Sequence, residues 1–440
     1  MRYFIFLTIV FTTIFGNAMP ETVLADQIQV NAALAKPVML ADQKQTAYLR
    51  VGLTGFRLKK EKVAPVNVAL VIDKSGSMQG EKLRSAKDAA IIAVERVRQD
   101  DIIAVVTYNH SADVLLPATR AIDKERLKTA INRLRAGGQT ALYDGVEKGA
   151  QEVGKFLDRN RVNRIVLVSD GLANVGPSTP AELGAFGASL SKENVVVTTI
   201  GLGLGYNEDL MTQLAEKSDG NHAFAENAKD LASFFNYEFG DILSVVAQEV
   251  NITIIGVDGT RPIRVLGREA KIEGQQISVK LNQLYSEQEK YVLVEIEVPA
   301  TKANQERTIA GVAVVYRNMG TNTSERMSSI IAANFTDSPQ LVEEKINATV
   351  MTAVIEQLAV KQNQQALKLR DEGKVKEARK LLLDNATQLA EEAAKYESKS
   401  LEKLKDINID DANNLDEDKW AKQRKSMRRQ QYKFQNQQSF

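Results

Sequence analysis

Oxygen-bearing side chains alternate at Asp73, Ser75 and Ser77, where the run VNVALVIDKSGSM over residues 66–78 leaves its apolar part. Alternate positions in a tight loop can aim their oxygens at one point. Hard oxygen donors without His or Cys favour magnesium, manganese or calcium over zinc. Three such ligands leave a cation's shell incomplete. Two later stretches offer more: GGQTALYDG at residues 137–145, which contains Thr140, and IVLVSDG at residues 165–171, which contains Asp170.

The elements that must position these residues are written in the same segments. The β-branched run before Asp73 is bounded by turn residues, which suits a strand buried on both faces. IVLVS repeats that pattern before Asp170. Open α/β sheets place ligands at the carboxyl ends of their strands, and both aspartates fall there. Beyond residue 80, Leu83, Ala86, Ala90, Val94 and Val97 mark one face of a helix. Further strands are predicted over 101–108, 112–116, 164–169 and 195–200, and helices over 124–134, 142–157, 181–191, 207–217 and 228–246. Strands alternating with helices predict a doubly wound, mostly parallel α/β sheet over residues 63–248.

The three loops in this order resemble the von Willebrand factor type A domain with its metal-ion-dependent adhesion site. The resemblance runs from about residue 65 to 247, and GLGLGYN at 201–207 is similar to the family's loop after its fifth strand. It implies a Rossmann-like domain that binds a divalent cation, Mg2+ foremost, with Mn2+ or Ca2+ also possible. Ser75, Ser77 and Thr140 would ligate it directly, and Asp73 and Asp170 directly or through water. Asp144 reads as loop support. An open position on the cation would then accept an Asp or Glu carboxylate from a protein partner, a metal-dependent binding or adhesion function. The alternative at the residues themselves is a set of loop hydrogen bonds without metal. Because the site reads as a surface cleft, Asp73→Ala is expected to abolish partner binding and leave the fold intact.

An enzyme is not expected. Paired carboxylates serve glycosidases as acid and base, but carboxylates facing a cation have lowered pKa values and suit ligation. Ser75 lacks the nucleophile elbow, and the two histidines, His110 and His222, lie far apart in sequence. His110 falls in a loop that could reach the site rim. A metal-dependent hydrolase stays as the minor alternative. Gly201, Gly203 and Gly205 do not have dinucleotide-binding spacing.

The 440 residues allow more than one domain. Fifty-seven basic against fifty-six acidic residues give no pull toward nucleic acid or anionic membrane. Without cysteine there are no disulfides, thiolate metal sites or lipobox anchor. Residues 1–25 read as a signal peptide: Arg2, an apolar run over 3–15, and small-residue exits after Ala18 and Ala25, the latter preferred. The run is short for a span of about 20 residues. The mature chain is expected to be exported, periplasmic or secreted, without a transmembrane segment; an uncleaved anchor is the alternative.

Alternation in TAYLRVGLTGF over residues 46–56 predicts half-buried antiparallel strands. Their partners are expected after the α/β domain, where VNITIIGV, QISVKL, YVLVEIEV and TIAGVAVVY are all strand-like. Residues 26–62 and 249–336 therefore read as two parts of one β-sandwich into which the α/β domain is inserted, an arrangement that resembles exported bacterial proteins. Residues 337–405 read as a helical hairpin broken at Gly373. Residues 406–440, acidic then basic, read as a charged tail, flexible or weakly helical. Asp406, Asn408, Asp410 and Glu417 imitate a calcium-loop spacing, but Asp411 stands where that loop needs Gly. The basic cluster over 419–433, with Trp420, Tyr432 and Phe434, could touch anionic lipid or polymer, the alternative being a solvated tail. A second reading of the whole is an accessory subunit of a cell-envelope complex, docked through its helices.

Overall fold

The computed structural model describes residues 26–59 and 62–438. The predicted signal peptide lies outside the described residues. Three strands come first: β1 (Gln29–Leu34), β2 (Val38–Leu40) and β3 (Gln45–Thr54). The α/β segment then runs β4 (Val66–Asp73), α1 (Glu81–Arg96), β5 (Ile102–Tyr108), β6 (Ala112–Arg120), α2 (Lys124–Asn132), α3 (Leu142–Gly154) and β7 (Val162–Ser169). It continues α4 (Pro180–Lys192), β8 (Val196–Leu202), α5 (Glu208–Lys217), β9 (His222–Ala225) and α6 (Ala228–Ile242).

Its sheet has the order β6-β5-β4-β7-β8-β9, parallel except for β6 at the edge. Side chains of a strand alternate between faces, and β4 fills both. Val68, Leu70 and Ile72 pack with α1, α2 and α6, whereas Ala69 and Val71 pack with α3, α4 and α5. That is why the run from Val68 to Ile72 is apolar throughout. Strand order reverses between β4 and β7, so the crevice of this doubly wound sheet opens at the ends of the strands that carry Asp73 and Asp170.

After α6 come β10 (Val245–Gly256), β11 (Arg261–Leu266), β12 (Lys271–Glu273), β13 (Gln276–Tyr285), β14 (Glu289–Val298), β15 (Glu306–Asn318) and β16 (Thr323–Thr336). With the first three strands they form a four-stranded sheet, β1-β3-β14-β11, and a six-stranded one, β12-β13-β10-β15-β16-β2. Leu49, Val51 and Leu53 of one sheet share a core with Ile252, Val279 and Val312 of the other. The α/β segment is inserted between β3 and β10. Its entry and exit meet at the β13–β14 turn, where Glu287 N–H donates to the Gly55 carbonyl (3.1 Å) and Ser286 N–H to the Ser244 carbonyl (2.8 Å). A fully buried Arg164 on β7 crosses the junction, donating to Gln283 (2.7 Å) and the Tyr285 hydroxyl (2.9 Å) of β13 and lying 3.3 Å from Glu238 of α6.

The C-terminal region is helical: α7 (Pro339–Glu344), α8 (Ala348–Asp371), α9 (Val375–Tyr396), α10 (Lys399–Asn413) and α11 (Glu417–Gln435). Val350, Ala353 and Val354 of α8 pack on Leu266, Tyr291 and Leu293 at the sandwich. The expected flexible tail at 406–440 is corrected here. Its basic residues are not a solvated face but find acidic partners: Arg424 pairs with Glu208, Asp209 and Asp371, and Lys425 with Glu208. Met427 and Tyr432 are buried beside them. The calcium-like spacing lies mostly within α10, whose regular backbone cannot wrap an ion, and Asp411 there accepts from Asn363 and Gln423. Among the described residues no helix is long and apolar enough to cross a membrane.

Candidate metal centre

Asp73 is the last residue of β4 and is completely buried. Its Oδ1 accepts from the Ser75 amide (2.8 Å) and its Oδ2 from the Ser169 hydroxyl (2.8 Å), so the side chain folds the loop that follows it. Ser75 Oγ lies 3.1 Å from Ser77 Oγ, and Ser77 Oγ donates to Asp170 Oδ1 at 2.7 Å. Four of the five sequence-predicted residues are thus linked by direct contact or through the Asp73 loop.

Thr140 arrives from the loop before α3. Gly76 N–H donates to the Gly138 carbonyl (2.9 Å) and Gly137 N–H to the Lys74 carbonyl (2.8 Å), which ties this loop to the Asp73 loop. Asn109 secures its other side, donating from Nδ2 to the Gly137 carbonyl (2.8 Å), and Asn174 accepts from the Thr140 amide (2.9 Å). A Cβ placed on Gly171 would stand 3.1 Å from Thr140 Oγ1 and 3.4 Å from Ser77 Oγ. The two hydroxyls therefore converge over a residue without a side chain, leaving a cradle of hard oxygens. That donor set fits magnesium, manganese or calcium. Among the described residues no group of three or more His, Cys, Asp or Glu gathers to hold a metal, so neutral hydroxyls are essential to any cation site of this kind.

Two negative carboxylates face one another here. Burial raises the Asp73 pKa, with the neighbouring Asp170 charge adding to it and the hydrogen bonds from Ser75 and Ser169 opposing. Burial, and then the Asp73 charge, push the Tyr108 phenol well above its ordinary range. Lys82, in the first turn of α1, donates to Asp170 Oδ2 at 2.5 Å and supplies positive charge at the rim.

Sequence reasoning did not single out Ser169, Asn174, Asn109 or Lys82. Lys82 had a signal, since it lies five residues beyond Ser77 at the start of the predicted helix; Asn109 and Asn174 look like ordinary loop asparagines, and Ser169 ends the β7 run like any other serine. Asp144 sits in the first turn of α3, outside the oxygen cluster. His110 is exposed, and a Cβ on Gly138 would stand 3.2 Å from its Nδ1, which places it at the rim. His222 is buried elsewhere, bonded to Thr199 (2.8 Å), and burial lowers its pKa to about 3, leaving a neutral core histidine.

Residues 67–236 match the family model described as von Willebrand factor type A domain. The chain is 30% identical over 213 residues to the uncharacterized protein YfbK of Escherichia coli, a match covering 48% of this chain and 37% of that protein. It is 25% identical over 276 residues to the uncharacterized protein sll0103 of Synechocystis, covering 59% and 65%. Each match spans less than two thirds of the relative's length. Among solved structures, the von Willebrand factor type A protein from Catenulispora acidiphila is similar with a TM-score of 0.72 at 17% identity, over 89% of this chain and 91% of that one. Strand order and family match together make residues 67–236 a von Willebrand factor type A domain.

Proposed function

We propose that Asp73, Ser75, Ser77, Thr140 and Asp170 hold a divalent cation, Mg2+ foremost and Mn2+ or Ca2+ otherwise, through which the domain binds an acidic side chain of a protein partner. Proteins with this domain mediate protein interactions. The observation that carries the reading is the convergence of Thr140 and Ser77 hydroxyls over Gly171, beside two buried carboxylates. When bound, the cation supplies an electrophilic position for a carboxylate oxygen. Asp73 would offset positive charge from beneath while holding the loop through Ser75. Ser77 and Thr140 would direct neutral oxygens at the ion, and Asp170 would complete it from the β7 side. Two carboxylates match the cation's charge, so three neutral hydroxyls leave it able to attract a further anion.

The function is one of binding, without catalysis. The site offers no nucleophile with an adjacent base: His222 lies in another part of the core, and His110 is an exposed residue at the rim. Export with removal of a leader at 1–25 completes the proposal and rests on Arg2 and the apolar run over 3–15. The test uses acetate as the simplest carboxylate. Electron paramagnetic resonance of Mn2+ bound to the protein should change when acetate is added, and Asp170→Asn should lose the bound-Mn2+ signal. A bound-Mn2+ spectrum indifferent to acetate would remove the carboxylate-accepting step.

A further inference from the structure

Residues 203–206, between β8 and α5, press on the Asp170 loop. A Cβ on Gly205 would stand 2.6 Å from the Asp170 carbonyl oxygen, and one on Gly203 would stand 3.5 Å from Cε of Lys82, the residue that bonds the Asp170 carboxylate. Glycine permits this close approach. The loop is anchored by Tyr206, whose buried ring fills the space where a Cβ on Gly201 would lie. Tyr206 is in turn held from α11. Lys425, buried, donates from Nζ to the Tyr206 carbonyl at 2.8 Å across 219 residues of sequence. It also bonds Glu208 and lies 4.4 Å over the Tyr206 ring. Arg424 beside it donates to Glu208 (2.5 Å) and Asp209 (2.7 Å).

We infer that Lys425 is a positioning residue of the candidate metal centre, acting through Tyr206 and Gly205 on Asp170. This rests on the reading of Asp170 as a metal-site residue. A buried ammonium with a main-chain carbonyl and a carboxylate as acceptors makes charge-assisted bonds, stronger than neutral ones. It therefore fixes the height of the 203–206 loop more tightly than packing alone. The loop meets the Asp170 main chain directly and its carboxylate through Lys82. Losing a group that orients a ligand from outside the coordination sphere typically costs about 10–100-fold in metal affinity. The C-terminal helix thereby becomes part of the site's architecture.

The test is Mn2+ titration of the full chain by calorimetry. Lys425→Met removes the ammonium but keeps the stem, and Arg424 still neutralises Glu208, so no carboxylate is orphaned. Its Mn2+ affinity should fall about tenfold, at the low end of such effects. Tyr432→Phe is the control. It deletes the hydroxyl bond to the Gly220 carbonyl that docks the same helix further along, and should leave Mn2+ affinity unchanged. Hydrogen exchange on the wild type supplies a readout that needs no variant. Linkage is reciprocal, so saturating Mn2+ should slow exchange at residues 203–206 and 422–428. Wild-type binding with equal affinity in Lys425→Met, or exchange in both segments indifferent to Mn2+, would overturn the inference alone. A wild type that binds no Mn2+ would overturn the metal-site reading and this inference with it. Equal losses in Lys425→Met and Tyr432→Phe would reduce Lys425 to general docking and overturn its positioning role.

Discussion

Asp73 has two tasks. In the proposed site its carboxylate would help to hold the cation, and its two oxygens already accept from Ser75 N–H and the Ser169 hydroxyl. The expectation that Asp73→Ala leaves the fold untouched, drawn from reading the site as a surface cleft, does not suit a residue with no exposed surface. Removing the carboxylate strands two buried donors, each at a cost of about 1–3 kcal/mol. Asp73→Ala is therefore predicted to lose both cation binding and that much stability, measurable by urea unfolding in the presence of a chelator. Ser77 is exposed, so Ser77→Ala should lose cation binding with stability within about 0.5 kcal/mol of wild type. At this scale the sequence made the proposed ligands noticeable because DxSxS, Thr140 and Asp170 each end an apolar run or sit beside paired glycines. Their supports were not legible. Ser169 precedes Asp170 inside a strand-like run, and nothing local distinguishes a serine bonded to Asp73 from one facing solvent.

Among the elements, the strands of the α/β domain were readable because burial on both faces leaves no polar interruption from Val66 to Ile72 apart from Asn67. That residue bonds Asn163 (3.0 Å) and the Val153 carbonyl (2.8 Å). Strands β11 and β12 escaped notice, since both are short, β12 is exposed throughout and β11 is broken by a bulge near Pro262. Helix α11 was missed for a different reason. Its mean composition is that of a solvated segment, and the carboxylates that pair with it lie on α5 and α8. Local pattern cannot report partners so remote.

Two element-scale predictions follow from buried charge. Arg164→Met leaves Glu238 without its nearest cation and should destabilise the protein by about 3–5 kcal/mol, read as a lower urea midpoint. Asp411, buried with amide partners from Asn363 and Gln423, has its pKa raised by burial from the ordinary aspartate value of 3.8 to about 7. The folded state then binds more protons than the unfolded one between these values, so stability falls as pH rises from about 4 to 7. Across the whole window the loss should be about 4 kcal/mol, at about 1.4 kcal/mol per pH unit. Asp411→Asn should flatten that slope in unfolding curves at pH 5 and pH 8, and an unchanged slope would exclude Asp411 as its source.

In the whole molecule, one insertion organises everything. The sandwich closes around residues from both ends of the α/β domain, the Arg164 contacts fix that domain to β13, and the C-terminal helices return to brace α5. The insertion was legible because orphaned alternating strands before Pro65 needed partners, and only the strands after α6 could supply them. The return of the chain to the α/β domain was not, since it depends on ion pairs between α11 and residues of α5 and α8 far away in sequence. A chain ending at Thr336 would uncover Leu266, Tyr291 and Leu293. It is predicted to bind a hydrophobic dye and self-associate in sedimentation, whereas a monodisperse, dye-silent product would show that the helices are dispensable for the sandwich. The most direct measurement concerns the site itself: calorimetric titration of the protein with Mg2+ and Mn2+, wild type beside Ser77→Ala. A single saturable site, lost in the variant while its unfolding curve is kept, is the predicted result. Absence of binding in the wild type, or equal binding in both proteins, would contradict the assignment of a cation to Asp73, Ser75, Ser77, Thr140 and Asp170.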